Sequence, residues 1–321
     1  MPSSASRCLP AGNGRRLIQA DQSLRLGPLF CLSWAPALLD RGGESDNSQM
    51  ELHVARPHSE VSAWVSMAVH LSFDSPGTQP VPCHFPALVE GGLVVVLEGR
   101  FFVKEPSGAF TALPAGFVGT ARAVPLTLYR TPRLSYAGLR LQPTGTLGLL
   151  QSSPLSLPHQ FADAADVFGQ AWPQLVERIR TETDPERRLA SLLMFARERL
   201  RDEVHLQRVR RAALLQQVAL RAAAPEDAVG FSVRQFERVF AGTFGLTPKL
   251  FQRVARVEGL LRDALATSAT DAGLALRHGY YDQSHMARDL RMLAGASLGT
   301  LIEAARQQDS ENWALAVGVA Q

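Results

Sequence analysis

The sequence predicts an α+β protein whose N-terminal half is β-rich and whose C-terminal half is helical. Over residues 51–150, short apolar runs alternate with turns that contain glycine or proline, a pattern typical of a β-sandwich or a small barrel. From residue 160 to about 306, strong helix formers dominate and one segment pattern occurs twice. With 321 residues, the chain is long enough for two domains.

Composition and cysteine usage exclude several classes of protein. Hydrophobic residues make up 46% and charged residues 20% of the chain, as in ordinary globular domains. The three cysteines, Cys8, Cys31 and Cys83, cannot close a disulfide framework and have no C-x-x-C spacing, so neither a disulfide scaffold nor a thiolate zinc site is predicted. No run of 18 apolar residues occurs, and we expect a cytoplasmic protein with no membrane partner.

Positive charge is concentrated in the C-terminal half. The chain carries 33 Arg and Lys against 30 Asp and Glu, a net charge of +3, which is too small to indicate nucleic-acid binding. Residues 176–306, however, hold 21 basic and 16 acidic side chains, whereas the remainder holds 12 and 14. The basic excess therefore lies where the helices are predicted.

Changes in composition divide the chain into five segments. The first is poorly patterned, and we interpret it as a loosely ordered extension rather than a signal peptide. A β-rich domain, a helical linker, an all-α domain and a tail follow. The predicted segments are 1–50, 51–155, 156–204, 205–306 and 307–321. The predicted strands lie at 61–71, 92–97, 101–103, 117–118, 126–129 and 134–141.

The most informative feature of the helical half is a repeat at an offset of 50 residues. Segments 230–248 and 279–298 share the pattern apolar-x-Arg-x-apolar-x4-Gly-x-Thr/Ser. In this alignment Arg238 pairs with Arg288. Repetition of this kind indicates one structural unit used twice.

Each unit is predicted to be a turn followed by an amphipathic helix. Ser232 and Asp282 stand where N-cap residues are expected, and Gly245 is suited to end the first helix. The apolar faces comprise Phe236, Val239, Phe240 and Phe244 in the first unit, and Met286, Leu290 and Leu293 in the second. The opposite faces carry Arg234, Glu237, Arg238 and Ala241, and Ser284, Ala287, Arg288 and Arg291. One such helix is typical of any protein surface, but two matching copies favour a shared function.

The surroundings of these helices predict DNA recognition. Each follows a short alanine-rich segment and a glycine turn, which is the helix-turn-helix layout whose second helix enters the major groove. Residues 248–266 predict one helix of 19 residues, roughly 28 Å long at 1.5 Å per residue. Because one duplex turn is about 34 Å, this spacer would place two reading helices in successive major grooves.

Residues 205–303 resemble the DNA-binding domain of the AraC/XylS-type transcription regulators, in which two helix-turn-helix units are joined by a long helix. The most specific string is GYYDQSH, residues 279–285. Further matching residues are Ser232, Arg234, Phe236, Arg238, Phe240, Gly245, Thr247, Pro248, Arg253, Arg256, Leu274, Ala275, Arg288, Leu290 and Gly295. A second element, GLRLQP at 138–143, is similar to one in the sensor-type N-terminal domain of one branch, and implies such a domain within residues 61–200.

The resemblance implies a bacterial transcription regulator, expected to be an activator, that reads two successive major-groove segments of double-stranded DNA. It implies a small-molecule effector or a second copy of the chain as partner of the N-terminal domain, and RNA polymerase as a further partner. It implies no cofactor, catalytic residue or metal ligand. We expect DNA contacts from Ser232, Arg234, Glu237, Arg238, Gln283, Ser284, His285, Arg288 and Arg291.

The sequence departs from the family pattern at three places. Pro225-Glu226 replaces the Leu-Ala of the first positioning helix, and a proline is tolerated only in the first helical turn. Gly273 lies within the second positioning helix, where glycine costs about 1 kcal/mol. Leu298 stands where a proline is expected. We therefore expect a shortened helix in the first unit.

Two other functions are consistent with parts of the sequence. One is an enzyme or metal-binding β-domain fused to a DNA-binding tail, suggested by His53, His58, His70 and the Cys83-His84 pair. Metal analysis would identify it, although these residues lack the usual ligand spacings. The other is a protein-interaction module with a degenerate helix-turn-helix, which would lack the steep salt dependence of a DNA binder.

Overall fold

The structure, a computed structural model, describes residues 49–150, 161–200, 203–222, 224–267, 272–307 and Glu311. All of them belong to one unit of mutual contacts, Trp34–Gln321. The predicted N-terminal extension up to residue 48 and nearly all of the predicted tail lie outside the described residues.

Among the described residues, ten strands build the N-terminal domain. They are β1 (Gln49–Ala55), β2 (Val65–Asp74), β3 (Val81–Phe85), β4 (Gly91–Glu98), β5 (Phe101–Lys104), β6 (Phe110–Ala112), β7 (Gly116–Gly119), β8 (Leu126–Arg130), β9 (Arg133–Leu141) and β10 (Phe161–Asp163). A six-stranded sheet has the order β1-β2-β9-β4-β7-β10, and a four-stranded sheet has the order β3-β8-β5-β6. All strand pairs are antiparallel.

The two sheets share one apolar core. Side chains from β2, β4, β7 and β9 pack with side chains from β3, β5 and β8 in a single cluster. Aromatic rings fill its centre, where Phe101 meets the edges of Phe117 and Tyr136 at centroid distances of 6.0 and 5.7 Å. Edge-to-face contacts of this kind stabilise a core beyond the burial of area.

Five helices of the described ranges follow or interrupt the strands: α1 (Pro143–Leu150), α2 (Ala164–Phe168), α3 (Ala171–Thr181), α4 (Pro185–Arg199) and α5 (Glu203–Arg221). Helix α4 lies on the large sheet and contacts β1, β2 and β9. Its apolar stripe, which includes Leu189, Leu192 and Ala196, is buried there. Helix α1 is buried along its whole length and contacts α5 and α7.

In the described portion of the C-terminal part there are six helices: α6 (Pro225–Ala228), α7 (Val233–Phe244), α8 (Pro248–Thr267), α9 (Ala272–Arg277), α10 (Gln283–Ala294) and α11 (Leu298–Arg306). Their apolar faces meet in one cluster around α8, which contacts α5, α7, α9, α10 and α11. The predicted α+β class is confirmed. None of the helices in the described part of the chain is long and apolar enough to cross a membrane.

The predicted strands correspond to β2, β4, β5, β7, β8 and β9. The structure adds β1, β3, β6 and β10, and it adds α1 within the range predicted to be β-rich. β10 and α4, which lie in the predicted linker range, belong to the large sheet and its covering helices. The added strands and α1 are short, exposed or uniformly buried, so they carry no clear periodicity.

The packing of Trp172 on Gly116 yields a stability prediction. A Cβ atom at Gly116 of β7 would overlap the buried indole ring of Trp172 of α3, and overpacking of this kind destabilises by about 1–3 kcal/mol. We expect Gly116→Ala to lower the free energy of unfolding in urea by that amount. The control is Gly299→Ala in α11, where the added methyl meets no atom within 4 Å. Equal stability of the two variants would contradict this account.

Candidate nucleic-acid interface

The first helix-turn-helix unit, here called the first reading unit, consists of α6, a glycine turn and α7. The Ser232 hydroxyl accepts a hydrogen bond from the backbone N–H of Gln235 at 3.3 Å and so caps α7. Gly245 ends the helix in the left-handed conformation, at φ 76°. Helix α6 has only four residues, and Pro225 stands in its first turn, where its missing N–H breaks no helical hydrogen bond.

The second unit has the same construction. The Asp282 carboxylate accepts a hydrogen bond from the N–H of His285 at 2.7 Å and caps α10. Gly295 ends α10 at φ 80°. Gly273 lies within α9, as the sequence indicated. Both predicted N-caps, Ser232 and Asp282, are therefore found in the structure.

Both recognition helices, α7 and α10, bury one face and expose the other. The buried side chains are Phe236, Phe240 and Phe244 in α7, and Met286, Asp289, Leu290 and Leu293 in α10. The exposed residues include eight of the nine with predicted DNA contacts: Ser232, Arg234, Glu237, Arg238, Gln283, Ser284, Arg288 and Arg291. The ninth, His285, is half-buried with its ring against Tyr280. The four arginines are thus free of the core and available at the surface.

Helix α8 connects the two units as a continuous spacer of 20 residues, roughly 30 Å long at 1.5 Å per residue. Its Arg253 donates to the Asp289 carboxylate of α10 at 2.6 Å. The Arg256 guanidinium lies over the Tyr280 ring, 5.3 Å from its centroid. These two arginines therefore fix the second unit against the spacer.

A contact between the β-domain and the helical domain involves residues that the sequence did not single out. The Ala87 N–H donates to the Leu293 carbonyl of α10 at 2.6 Å, and the Val89 N–H donates to Glu258 Oε1 of α8 at 3.1 Å. Ala87 and Val89 are buried in the helical domain's apolar cluster. One sequence signal was present, because helical spacing places Glu258 on the same face as Val254 and Leu261.

A cavity of about 190 Å³ lies at this junction. Side chains of both sheets line it, and α8 closes it with Leu261 and Leu265. Most of the lining is apolar. The charged residues at the cavity are Glu90, Arg122, Arg140, Glu258 and Arg262. Such a cavity, apolar with a few converging polar groups, is typical of small-molecule sites.

Two charged groups of the cavity, Glu258 and Arg122, have shifted pKa values. Burial, followed by the nearby Glu90 carboxylate, raises the pKa of Glu258 to about 8, against the opposing effect of Arg140, Arg262 and the Val89 N–H. Burial lowers the pKa of Arg122 to about 10, and its Nε donates to the Pro86 carbonyl at 3.2 Å. Glu90 and Arg140 form a close ion pair.

The histidines considered for a metal site are arranged differently. His53 and His70 stack with ring centroids 5.8 Å apart, and His70 contacts Ser135 and Arg188. Burial and then Arg188 lower the pKa of His70 to about 4. His84 hydrogen-bonds to Thr127 on the other sheet. Within the described ranges, no three His, Cys, Asp or Glu side chains are grouped to hold a metal ion.

Comparison with known proteins locates a family match in the helical domain. Residues 226–304 match the family described as "Helix-turn-helix domain". Solved structures of ToxT from Vibrio cholerae are similar to this chain. One has a TM-score of 0.41 at 6% identity over 80% of this chain and 98% of its own, and the form with bound unsaturated fatty acid has 0.41 at 8% over 81% and 97%. No curated protein matches the sequence.

The matched segment runs from α6 to α11 and includes both reading units. These units are the two predicted helix-turn-helix units. Residues 226–304 are thus a helix-turn-helix domain. The helix-turn-helix domain predicted from the sequence is confirmed.

The ion pair between α8 and α10 yields a second prediction. The Asp289 side chain is only 4% exposed, so Arg253→Met would leave a buried carboxylate without its cation. We expect a loss of about 2–3 kcal/mol in the free energy of unfolding. Arg133→Met breaks the exposed pair with Asp74 and should cost less than about 1 kcal/mol. Urea denaturation measures both, and a loss from Arg253→Met no larger than the control's would refute the structural role.

Proposed function

We propose that the protein reads two successive major-groove segments of one DNA site with α7 and α10. The observation that carries this proposal is the presence of exposed arginine-bearing helices at both ends of one 20-residue spacer. One turn of duplex is about 34 Å, close to the spacer's length of roughly 30 Å. The two units therefore suit neighbouring grooves on the same face of the duplex.

Individual contacts follow from the chemistry of the exposed side chains. Arg234, Arg238 and Arg288 have the fork geometry that recognises guanine O6 and N7. Gln283 suits adenine, and Glu237 suits the amine of cytosine because a phosphate would repel it. The remaining contacts would position the backbone. They are assigned to Ser232, Ser284, His285 and Arg291.

The DNA-reading proposal is tested by selecting bound sequences from random duplexes and then comparing variants on the selected site. We expect Arg288→Ala to lower specific affinity by about 1–3 kcal/mol and to relax the base preference at one position. The control is Arg187→Ala, which removes an exposed arginine from α4 on the β-domain. Unchanged specific binding of a folded Arg288→Ala protein would refute the assignment. Insensitivity to salt would refute DNA binding itself.

We also propose that the junction cavity binds a small amphipathic effector that regulates DNA binding. Its apolar lining suits a hydrocarbon group. Three arginines face two carboxyl groups, one of which is largely protonated at neutral pH. The excess of positive charge favours an effector with an anionic head. Because α8 forms one wall, an occupant would touch the spacer between the reading units.

Decanoate is a suitable probe for the cavity, with decylamine as the head-group control. Leu126 of β8 is half-buried and lines the cavity, so Leu126→Trp would fill part of it. We expect calorimetric binding of decanoate, no binding of decylamine, and a loss of affinity of at least about tenfold in Leu126→Trp. Leu220→Trp alters an exposed leucine of α5 and should leave binding unchanged. Equal binding by both variants would place the ligand elsewhere.

A further inference from the structure

Segment 86–90 contacts the cavity on one side and the DNA-binding domain on the other. Pro86, Leu88 and Glu90 line the cavity, whereas Ala87 and Val89 are buried among helical-domain side chains. Leu88 also exchanges backbone hydrogen bonds with Arg122. The segment is therefore one physical connection between the β-domain and the reading units.

Glu258 is the helical domain's charged partner of this segment. It is 9% exposed, and its Oε1 accepts the Val89 N–H. The charged groups that face it are Glu90, Arg122 and Arg140 from the β-domain and Arg262 from α8 itself. Arg140 is shared, because it also pairs with Glu90. The arginines therefore have to compensate two carboxyl groups in a buried space.

We propose that Glu258 is a positioning residue for DNA binding, which holds α8 and the end of α10 against segment 86–90 and releases them when its carboxyl ionises. The proposal rests on DNA recognition by α10 but requires no effector. The Ala87 N–H donates a hydrogen bond to the carbonyl of Leu293, which lies in the last turn of α10. The recognition face of α10 points away from this contact and stays exposed. A closed junction therefore fixes the position of α10 without covering its recognition face. Because α10 is already fixed, less conformational entropy is lost when it binds DNA.

The direction of the pH effect follows from the raised pKa of Glu258, about 8 in the closed junction against 4.5 in water. The closed junction binds the proton more tightly than an open one. Closure is therefore strongest at low pH. It weakens as pH rises from the ordinary pKa to about 8, and it is constant above that value. Neutral pH lies inside this window, so the junction would open progressively across it.

Hydrogen exchange tests the junction directly, because the Ala87 and Val89 amides are both bonded across it. After division by intrinsic exchange rates, we expect their opening constant in the full chain to rise by up to about tenfold per pH unit between pH 6 and 8. Glu258→Gln keeps an acceptor oxygen but has no charge and should abolish this slope. Asp263→Asn, an exposed carboxyl change on the same helix, should retain it.

DNA affinity tests the positioning role. We expect the affinity for the selected duplex, relative to that of Glu258→Gln, to fall severalfold between pH 6 and 8.5, and Asp263→Asn to behave as the native chain. Fluorescence anisotropy at constant ionic strength measures both. If Glu258→Gln showed the same dependence of amide opening on pH as the native chain, the proposed release of the junction by Glu258 ionisation would be refuted. If the amide opening changed with pH but the DNA affinity of the native chain relative to Glu258→Gln did not, the positioning role of Glu258 would be refuted.

Two further results separate this inference from the proposed function. Absence of specific DNA binding at every pH would refute the proposed reading of DNA. It would not refute the pH-dependent contact between Glu258 and segment 86–90, because hydrogen exchange measures that contact without DNA. If Glu258→Gln does not fold, Glu90→Gln provides the test, because removing the repelling carboxylate lowers the pKa of Glu258. The midpoint of the amide opening should then move to lower pH, and an unmoved midpoint would contradict the proposal.

Discussion

The burial of helix α8 on several sides is the constraint on which the rest of the molecule depends. Its apolar residues Phe251, Val254, Val257 and Leu261 belong to the core that joins both reading units. The same helix carries the ion pair to Asp289 and the carboxyl that meets Val89. Because packed interiors deform little, a helix held at so many points fixes the separation of α7 and α10. It also connects that separation to the β-domain.

In the proposed function, α8 holds the two reading units at a fixed separation and also contacts the β-domain, where we propose that an effector or a proton acts. Apolar contacts hold α8 to the reading units, and these contacts are insensitive to pH. The contact with the β-domain contains a cavity and buried charges, which are the features that we propose respond to ligands and protons. The proposed DNA-reading domain and the proposed effector domain thus meet on one helix. Regulation then needs only a small change at the junction.

The sequence was most informative where structure is local. The caps Ser232 and Asp282, the turn glycines and the two faces of α7 and α10 were predictable, because each depends on neighbours within a few residues. Short strands such as β6 and β10 were not predictable, because distant pairing determines them. The cavity and the contact of Glu258 with the β-domain were not predictable, because they join residues far apart in sequence, such as Val89 and Glu258, which are 169 residues apart. Only the carboxylate on an apolar helix face indicated that a site was there.

The most direct test of the account changes the DNA rather than the protein. The spacing of the two motifs in the selected duplex is increased by about half a helical turn, 5 base pairs, which moves them to opposite faces. A stiff α8 predicts that affinity falls to that of a duplex with a single motif. Affinity equal to that of the original spacing would show that the two units move independently, and would contradict the account.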